Sequence, residues 1–327
     1  MTARRVLRAP FPWFGGKSRA ADVVWRAFGN VPNYVEPFAG SLAVLLARPH
    51  AAKVETANDK DGLIANFWRA IQTKADDVAR WADWPVNEAD LHARHRWLVA
   101  AAPPLLEKLI ADPEYSDAQI AGWWVWGICS WIGNGWCSAD ERLHRCLPKT
   151  GTPGHGIHAP TRQARKKPLT HRNKGVHGGA VVDNGIADVF GQLAARLRNV
   201  RICCGDWKRV LGNSTLGIDT RRHGMTPCGV FLDPPYAHAS GREKRLYRED
   251  APDISADVRE WALTYGDDPR LRIALCGWEG EHAMPPSWRC VAWRAQNGFA
   301  NAERERIWLS PHCLTAGLQP DLFAEAS

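Results

Sequence analysis

The chain has 327 residues with 45% hydrophobic and 24% charged side chains, which is typical of a globular protein with a sizeable core. No apolar stretch has the length of a signal sequence or a membrane span, so a soluble, cytoplasmic protein without membrane contact is expected. Nine cysteines without a C-x-x-C pair argue against a disulfide framework, and the net charge of +7 favours an acidic partner.

Residues 11–18, Phe-Pro-Trp-Phe-Gly-Gly-Lys-Ser, form the first candidate ligand-binding turn. A phosphate-binding P-loop is disfavoured, because Phe11 stands where that motif requires glycine and no strand precedes the turn. The turn can instead lay the indole of Trp13 and the ammonium of Lys17 against a cofactor that carries an adenine and a carboxylate. S-adenosylmethionine is such a molecule.

Residues 31–46 predict a short strand, a tight turn and a helix whose N-cap is Ser41. The small residues of the turn would let a ligand approach the backbone. The pyrophosphate fingerprint G-x-G-x-x-G is absent, so NAD is disfavoured. The turn comprises Glu36, Pro37, Phe38, Ala39 and Gly40.

Asp59 follows the candidate strand 53–57 and comes nineteen positions after Gly40. A carboxylate at the end of the second strand of a nucleotide-binding unit can accept hydrogen bonds from both hydroxyls of a ribose. The alternative is that Asp59 caps a helix that begins near Asp61.

Helical segments are predicted near 87–100, 104–111 and 117–128, and residues 123–137 are rich in Trp and Cys. Helical spacing favours a packed core for these tryptophans, and stacking on nucleic-acid bases is the alternative. No metal site is expected, because the only candidate ligands lack the spacing of a common zinc site. Those candidates are Cys129, Cys137, His144 and Cys146.

Residues 142–182 contain nine Lys and Arg and no Asp or Glu, so the whole positive excess of the chain lies in this basic segment. Interleaved His, Gly and Pro favour a loop that contacts the phosphates of nucleic acid, and a solvated linker is the alternative. The residues expected to contact DNA here are Arg162, Arg165, Lys166, Lys167, Arg172 and Lys174.

After the basic segment, helices and strands alternate again, which predicts an α/β fold with a Rossmann-like, mostly parallel sheet and an inserted helical lobe. Residues 1–75 and 186–313 would form the catalytic domain, 76–185 the DNA-recognition lobe and 314–327 a tail. Helices are predicted near 186–197 and 254–265, and strands at 200–204, 229–232, 271–276, 289–294 and 305–310.

The tetrapeptide Asp-Pro-Pro-Tyr at 233–236 follows the apolar run 229–232 and points to methylation of a nucleobase amine. Such an amine is a poor nucleophile, because its lone pair is delocalised into the ring, and it needs hydrogen-bond acceptors. Asp233 and the carbonyl of Pro234, held rigid by Pro235, supply two acceptors, and Tyr236 offers a flat face to an extruded base. The alternative is a strand end with Tyr236 packed in a core.

These segments together resemble Dam-like adenine-specific DNA methyltransferases. The four specific ones, at 13–17, 36–41, 58–59 and 233–236, occur in the order found in that family. Weaker resemblances at Gly205-Asp206-Trp207, Asn134-Gly135 and 304–309 extend the similarity over most of the chain between Phe11 and Pro311.

The resemblance implies that a monomer transfers a methyl group from S-adenosylmethionine to the N6 amine of an adenine flipped from duplex DNA. It implies a DNA contact for Asn134, while Trp and Cys at unusual places in 123–137 leave the target sequence open. For Asp206 a surface N-cap is the alternative. The implied cofactor contacts are Trp13, Gly15, Gly16, Lys17, the turn 36–40, Asp59, Asp206 and Asp233.

Two other functions are compatible with parts of this pattern. Methylation of the cytosine amine uses the same donor geometry, although Ser is usual at the place of Asp233 in that group. A catalytically silent DNA-binding accessory protein is the second alternative. The joint presence of Lys17, Asp59, Asp233 and Tyr236 argues against a decayed site.

Overall fold

The computed structural model describes residues 7–13, 16–112, 114–131, 135–138, 185–219, 227–236, 254–293 and 303–315. In these parts of the chain, no helix is both long enough and apolar enough to cross a bilayer. The described residues form two compact units. The first lies within Met1–Phe14, Asp59–Arg198 and Arg245–Asp250, and the second within Gly15–Asn58, Asn199–Lys244 and Ala251–Ser327.

The second unit is built on a seven-stranded sheet. The strands are β1 (Asn33–Glu36), β2 (Val54–Asp59), β3 (Val200–Cys204), β4 (Cys228–Leu232), β5 (Leu271–Trp278), β6 (Arg289–Ala292) and β7 (Glu305–Leu309). Their order in the sheet is β3-β2-β1-β4-β5-β7-β6. β1 pairs in parallel with β2 and β4, and β4 with β5, whereas β7 runs antiparallel to both β5 and β6. The predicted α/β class with a Rossmann-like, mostly parallel sheet is therefore confirmed.

The central strands β1 and β4 are buried along their whole length. β4 is a continuous apolar run, as buried strands of parallel sheets usually are, whereas β1 also buries Asn33 and Glu36. Gly229 in β4 is needed for packing, because an added Cβ atom would come within 2.8 Å of the Phe28 ring. Helices α1 (Ala20–Phe28), α2 (Ala43–Leu46), α7 (Asn213–Leu216) and α8 (Ile254–Tyr265) belong to this unit. Its core contains Val35, Val230, Leu232, Ile273, Leu275 and Trp308.

The prediction that Ser41 caps α2 is wrong. The N-cap is Leu42, which has a left-handed backbone with φ of 53° and donates its N–H to the carbonyl of Ala39 at 2.8 Å. This turn moves the start of the helix by one residue and leaves the helix without a side-chain cap. Leu42 tolerates the uncommon conformation because its side chain is completely buried and anchors the turn in the core.

The first unit is helical and consists of α3 (Gly62–Ala82), α4 (Glu88–Ala111), α5 (Ala118–Ser130) and α6 (Ile186–Leu197). The predicted break between 100 and 104 is wrong, since α4 continues through Pro103 and Pro104. One apolar face of α4 stays packed against the unit through the buried side chains of Leu98, Ala102 and Leu105. This packing outweighs the loss of the two backbone N–H donors that the prolines lack.

Aromatic side chains form the core of the helical unit. Of the three tryptophans whose helical spacing predicts packing, Trp124 is buried, while Trp123 and Trp131 are half-buried. Trp124 lies 5.0 Å from Phe11 and 5.5 Å from Phe67 between ring centroids. Trp126 is fully buried, and its ring lies 4.3 Å from the guanidinium of Arg94.

The assignment of residues 1–75 and 186–313 to a catalytic domain, and of residues 76–185 to a DNA-recognition lobe, stays a prediction.

Candidate active site

Lys17 and Asp233 form an ion pair at one end of the sheet in the second unit. Asp233 directly follows β4, and Lys17 precedes α1, whose first turn contains the hydrogen bond from the Ala21 N–H to the Lys17 carbonyl. The Nζ atom of Lys17 lies 2.9 Å from Oδ1 of Asp233, with side chains that are 5% and 21% exposed. The exposed part of Asp233 leaves room for the carboxylate to contact a ligand.

Burial raises the pKa of Asp233 to about 6, because the ionised form loses hydration in the protein interior. The ammonium of Lys17 lowers this pKa, and the nearby charge of Glu305 raises it. Asp233 is consequently ionised at neutral pH and can accept hydrogen bonds, although less completely than an exposed aspartate.

Tyr236 is held by contacts on several sides and is only 7% exposed. Its hydroxyl donates a hydrogen bond of 2.7 Å to Oε2 of Glu305. The Lys17 ammonium lies 5.2 Å above its ring, and the Trp278 ring packs against it edge-on at 5.5 Å. Burial, with the carboxylates of Asp233 and Glu305, raises the pKa of Tyr236, so the phenol remains a donor.

Glu305, Trp278 and Trp293 were not predicted as site residues. Glu305 begins β7 and pairs in register with Trp278 of β5, which brings both beside Tyr236. The indole of Trp293 lies 5.6 Å from Nζ of Lys17. The available sequence signal for Glu305 was its place at the start of a strand that continues through Arg306 into an apolar run. The structure shows that this carboxylate is buried, and buried carboxylates are almost always paired.

The turn 36–40 follows β1, as predicted. Glu36 is buried and accepts a 3.0 Å hydrogen bond from the hydroxyl of Tyr34, and burial raises the pKa of its carboxyl. Phe38 is half-buried and packs 5.9 Å from Trp207. Gly40 has a positive φ of 44°, which suits the sharp turn. Pro37, Ala39 and Gly40 are buried.

Asn58, in β2, connects the ends of two other strands. Its side-chain N–H₂ donates to the carbonyls of Pro37 and Gly205, both at 3.0 Å. The side chain is almost completely buried, and its oxygen has no hydrogen-bond partner among the described residues. A buried acceptor of this kind is costly unless a ligand or water supplies a donor.

Two predicted cofactor contacts accept local hydrogen bonds from the backbone. The carboxylate of Asp206 accepts a hydrogen bond from the Lys208 N–H at 2.9 Å and caps the short 3-10 helix Trp207–Val210. Asp59 ends β2 and accepts a 2.9 Å hydrogen bond from the N–H of Asp61, while Asp61 itself caps α3. The N-cap of α3, which was the alternative role for Asp59, is therefore Asp61.

The remaining predicted residues divide into three groups. Pro234 is buried and Pro235 half-buried beside Asp233 in the second unit, and Gly16 lies next to Lys17. Trp13 belongs to the helical unit, where its ring lies 5.9 Å from Phe11. Outside the described residues lie Gly15, Asn134, Arg162, Arg165, Lys166, Lys167, Arg172 and Lys174, with His144 and Cys146.

Residues 13–91 match the family model of the D12 class N6 adenine-specific DNA methyltransferases. The match includes Lys17, the turn 36–40 and Asp59, and it ends before the Asp-Pro-Pro-Tyr tetrapeptide. It confirms the resemblance to adenine-specific DNA methyltransferases over this part of the chain. No curated protein matches the sequence.

Proposed function

We propose that this protein is an S-adenosylmethionine-dependent methyltransferase that modifies the exocyclic N6 amine of adenine in duplex DNA. The observation that carries the proposal is the placement of Asp233-Pro-Pro-Tyr236 directly after the buried strand β4, with Lys17 paired to Asp233. The family match over residues 13–91 supports the same activity from a separate part of the chain.

The chemistry expected of Asp233 is acceptance of a hydrogen bond from the target amine. Hydrogen bonds from the two N–H groups of the amine to Asp233 and the Pro234 carbonyl push the nitrogen towards a tetrahedral shape and make its lone pair available. Once the nitrogen carries the methyl group it gives up one proton, and the Asp233 carboxylate accepts it. The Pro234-Pro235 pair holds that carbonyl rigidly beside the carboxylate. Because the carboxylate and the carbonyl are already in place, they need not move when positive charge develops on the amine nitrogen during the reaction.

Lys17 supports this role through its charge. Without an ammonium beside it, the buried Asp233 carboxylate would take up a proton more readily, and a protonated carboxyl is a weaker acceptor. We therefore assign to Lys17 the maintenance of an ionised Asp233, in addition to the cofactor contact that the resemblance implies.

The described residues fit a cofactor with a flat ring and amine donors. The unpartnered oxygen of Asn58 can accept from an amine, and the half-buried ring of Phe38 offers an apolar surface after β1. Ligands of open α/β sheets bind at the carboxyl ends of the strands, where these residues lie. When bound, S-adenosylmethionine supplies an electrophilic methyl group. Asp59 remains the proposed acceptor for the ribose hydroxyls.

Duplex DNA is the proposed partner, and the basic segment 142–182 is its proposed contact. A base inside the helix cannot present its amine to a methyl donor, so the adenine must be flipped out, which costs a few kcal/mol. Contacts of Lys and Arg with phosphates add affinity that does not depend on sequence.

Methyl transfer from labelled S-adenosylmethionine to duplex DNA tests the proposal. The wild type should incorporate label, and Asp233→Ala should lose on the order of 10²–10³ in rate, because a charge-stabilising acceptor is removed. Asp22→Ala, in an exposed position of α1, is the matched control and should retain wild-type activity. No incorporation by the wild type, or equal rates for all three proteins, would contradict the proposal.

A further inference from the structure

The hydrogen bond between Tyr236 and Glu305 is short and buried. The hydroxyl lies 2.7 Å from Oε2 of a carboxylate that is 5% exposed. Burial of a carboxylate is costly unless it is paired or hydrogen-bonded, so a glutamate at this position needs a compensating interaction. The phenol donor supplies one, and hydrogen bonds to charged groups are stronger than those between neutral groups.

This bond fixes where the far end of the Tyr236 side chain lies. The hydroxyl oxygen lies on the axis about which the ring turns, so the bond restrains the rotation about the Cα–Cβ bond and sets the direction in which the ring points. The edge of Trp278 at 5.5 Å and the Lys17 ammonium at 5.2 Å contact the ring itself. The hydroxyl also interacts with Asp233, whose pKa it lowers, but of the two carboxylates only Glu305 lies in a strand.

The strand pairing keeps the acceptor in place. Glu305 begins β7 and lies opposite Trp278 in the antiparallel pair with β5, so the carboxylate is carried by the sheet and not by a loop. A residue carried by a rigid element can hold a neighbouring side chain to within a few tenths of an ångström. Tyr236 therefore has a directional anchor independent of its own loop.

We propose that Glu305 is a positioning residue that holds the Tyr236 ring in place for the target base. The inference rests on the proposed function, in which Tyr236 contacts the flipped adenine. It assigns a specific use to the Tyr236 hydroxyl, which stacking alone would not require. Glu305 acts through hydrogen-bond acceptance, so an uncharged acceptor of the same shape retains the role.

Four variants test this inference: Glu305→Ala, Glu305→Gln, Tyr236→Phe and the double variant Tyr236→Phe/Glu305→Ala. We expect Glu305→Ala and Tyr236→Phe each to lower kcat/KM for duplex DNA about tenfold or more, as loss of a hydrogen bond to a charged group does. Glu305→Gln should remain within about threefold of the wild type at pH 8, since the amide oxygen still accepts. The double variant should be no worse than Tyr236→Phe alone, because that variant already removes the bond to Glu305.

The dissociation constant for S-adenosylmethionine is the readout that separates positioning from general damage. It should stay within about twofold of the wild type in all four variants, because none of them alters Lys17, Asn58 or Asp59. Glu279→Gln is the control, since Glu279 is an exposed glutamate that pairs with Arg306. The inference would be overturned if Glu305→Ala bound S-adenosylmethionine more weakly, or if Glu305→Gln lost as much kcat/KM as Glu305→Ala. Additive losses of kcat/KM in the double variant would also overturn it.

The two proposals fail in distinguishable ways. If the wild type transfers no methyl group to DNA, the proposed function fails. If the wild type transfers methyl groups and Glu305→Ala does so equally well, only the positioning role of Glu305 fails.

Discussion

The ammonium of Lys17 lies 2.9 Å from the carboxylate of Asp233, and the two residues come from opposite parts of the sequence. The pair holds a mostly buried carboxylate whose pKa is raised to about 6 by burial and by Glu305. Its charge state, and with it the capacity to accept a hydrogen bond, therefore changes just below neutral pH. This property leads to the first two predictions.

We expect kcat/KM for DNA to fall tenfold per pH unit below about pH 6. The value of kcat/KM reports groups of the free enzyme, and the active form requires ionised Asp233. As the pH falls through the raised pKa, the carboxyl becomes protonated and loses acceptor strength. A profile measured at constant ionic strength checks this expectation. If kcat/KM fell only near pH 4, the ordinary pKa of an aspartate, burial would not raise the pKa of Asp233.

Lys17→Met should move the acid limb of this profile to higher pH, because loss of the ammonium raises the pKa of Asp233 further. Glu305→Gln should move it to lower pH, because a nearby negative charge is removed. Lys53→Met, in an exposed position before β2, is the control and should leave the profile unchanged. If the acid limb moved in the same direction in Lys17→Met and Glu305→Gln, this electrostatic account would be wrong.

Most strands could be predicted from the sequence, because they are short segments between turn residues and some, such as β4 and β5, are largely apolar. The predicted helices 186–197 and 254–265 coincide with α6 and α8. The acceptor Glu305 was missed as a site residue, since its contact with Tyr236 joins positions 69 residues apart. Only the register of β7 against β5 brings these side chains together, and a single sequence does not contain that register.

Local patterns failed where tertiary packing overrode them. Ser41 has the chemistry of an N-cap, but the buried Leu42 takes that position with φ of 53°. Pro103 and Pro104 normally end a helix, but α4 continues through them because its apolar face remains packed. In both places burial of leucine side chains outweighs a backbone preference of about 1–3 kcal/mol.

Asn58→Ala should lower the free energy of unfolding by about 2 kcal/mol, because two buried carbonyls lose their donor. It should also weaken S-adenosylmethionine binding, since the unpartnered oxygen that we assign to the cofactor is removed. Thermal unfolding and calorimetry measure the two effects. Asn199→Ala, in an exposed position before β3, is the control. Unchanged cofactor affinity in a folded Asn58→Ala protein would remove Asn58 from the proposed site.

Neutralisation of Arg165, Lys166 and Lys167 by Gln should weaken binding to all duplexes alike. The slope of log K against log salt should decrease by about 0.9 for each phosphate contact that is lost. A control with the same charge change in exposed positions elsewhere is Lys53→Gln/Arg198→Gln/Arg201→Gln. Equal slopes for the wild type and the basic-segment variant, measured by titration at several salt concentrations, would exclude this segment as the DNA contact.

The identity of the methylated nucleoside tests the central claim most directly. Duplex DNA incubated with the protein and S-adenosylmethionine is digested to nucleosides, which are separated and identified by mass spectrometry. The account predicts N6-methyldeoxyadenosine in the wild-type reaction, and its loss with Asp233→Ala but not with Asp22→Ala. A methylated cytosine amine as the product, or methyl transfer to RNA alone, would contradict it.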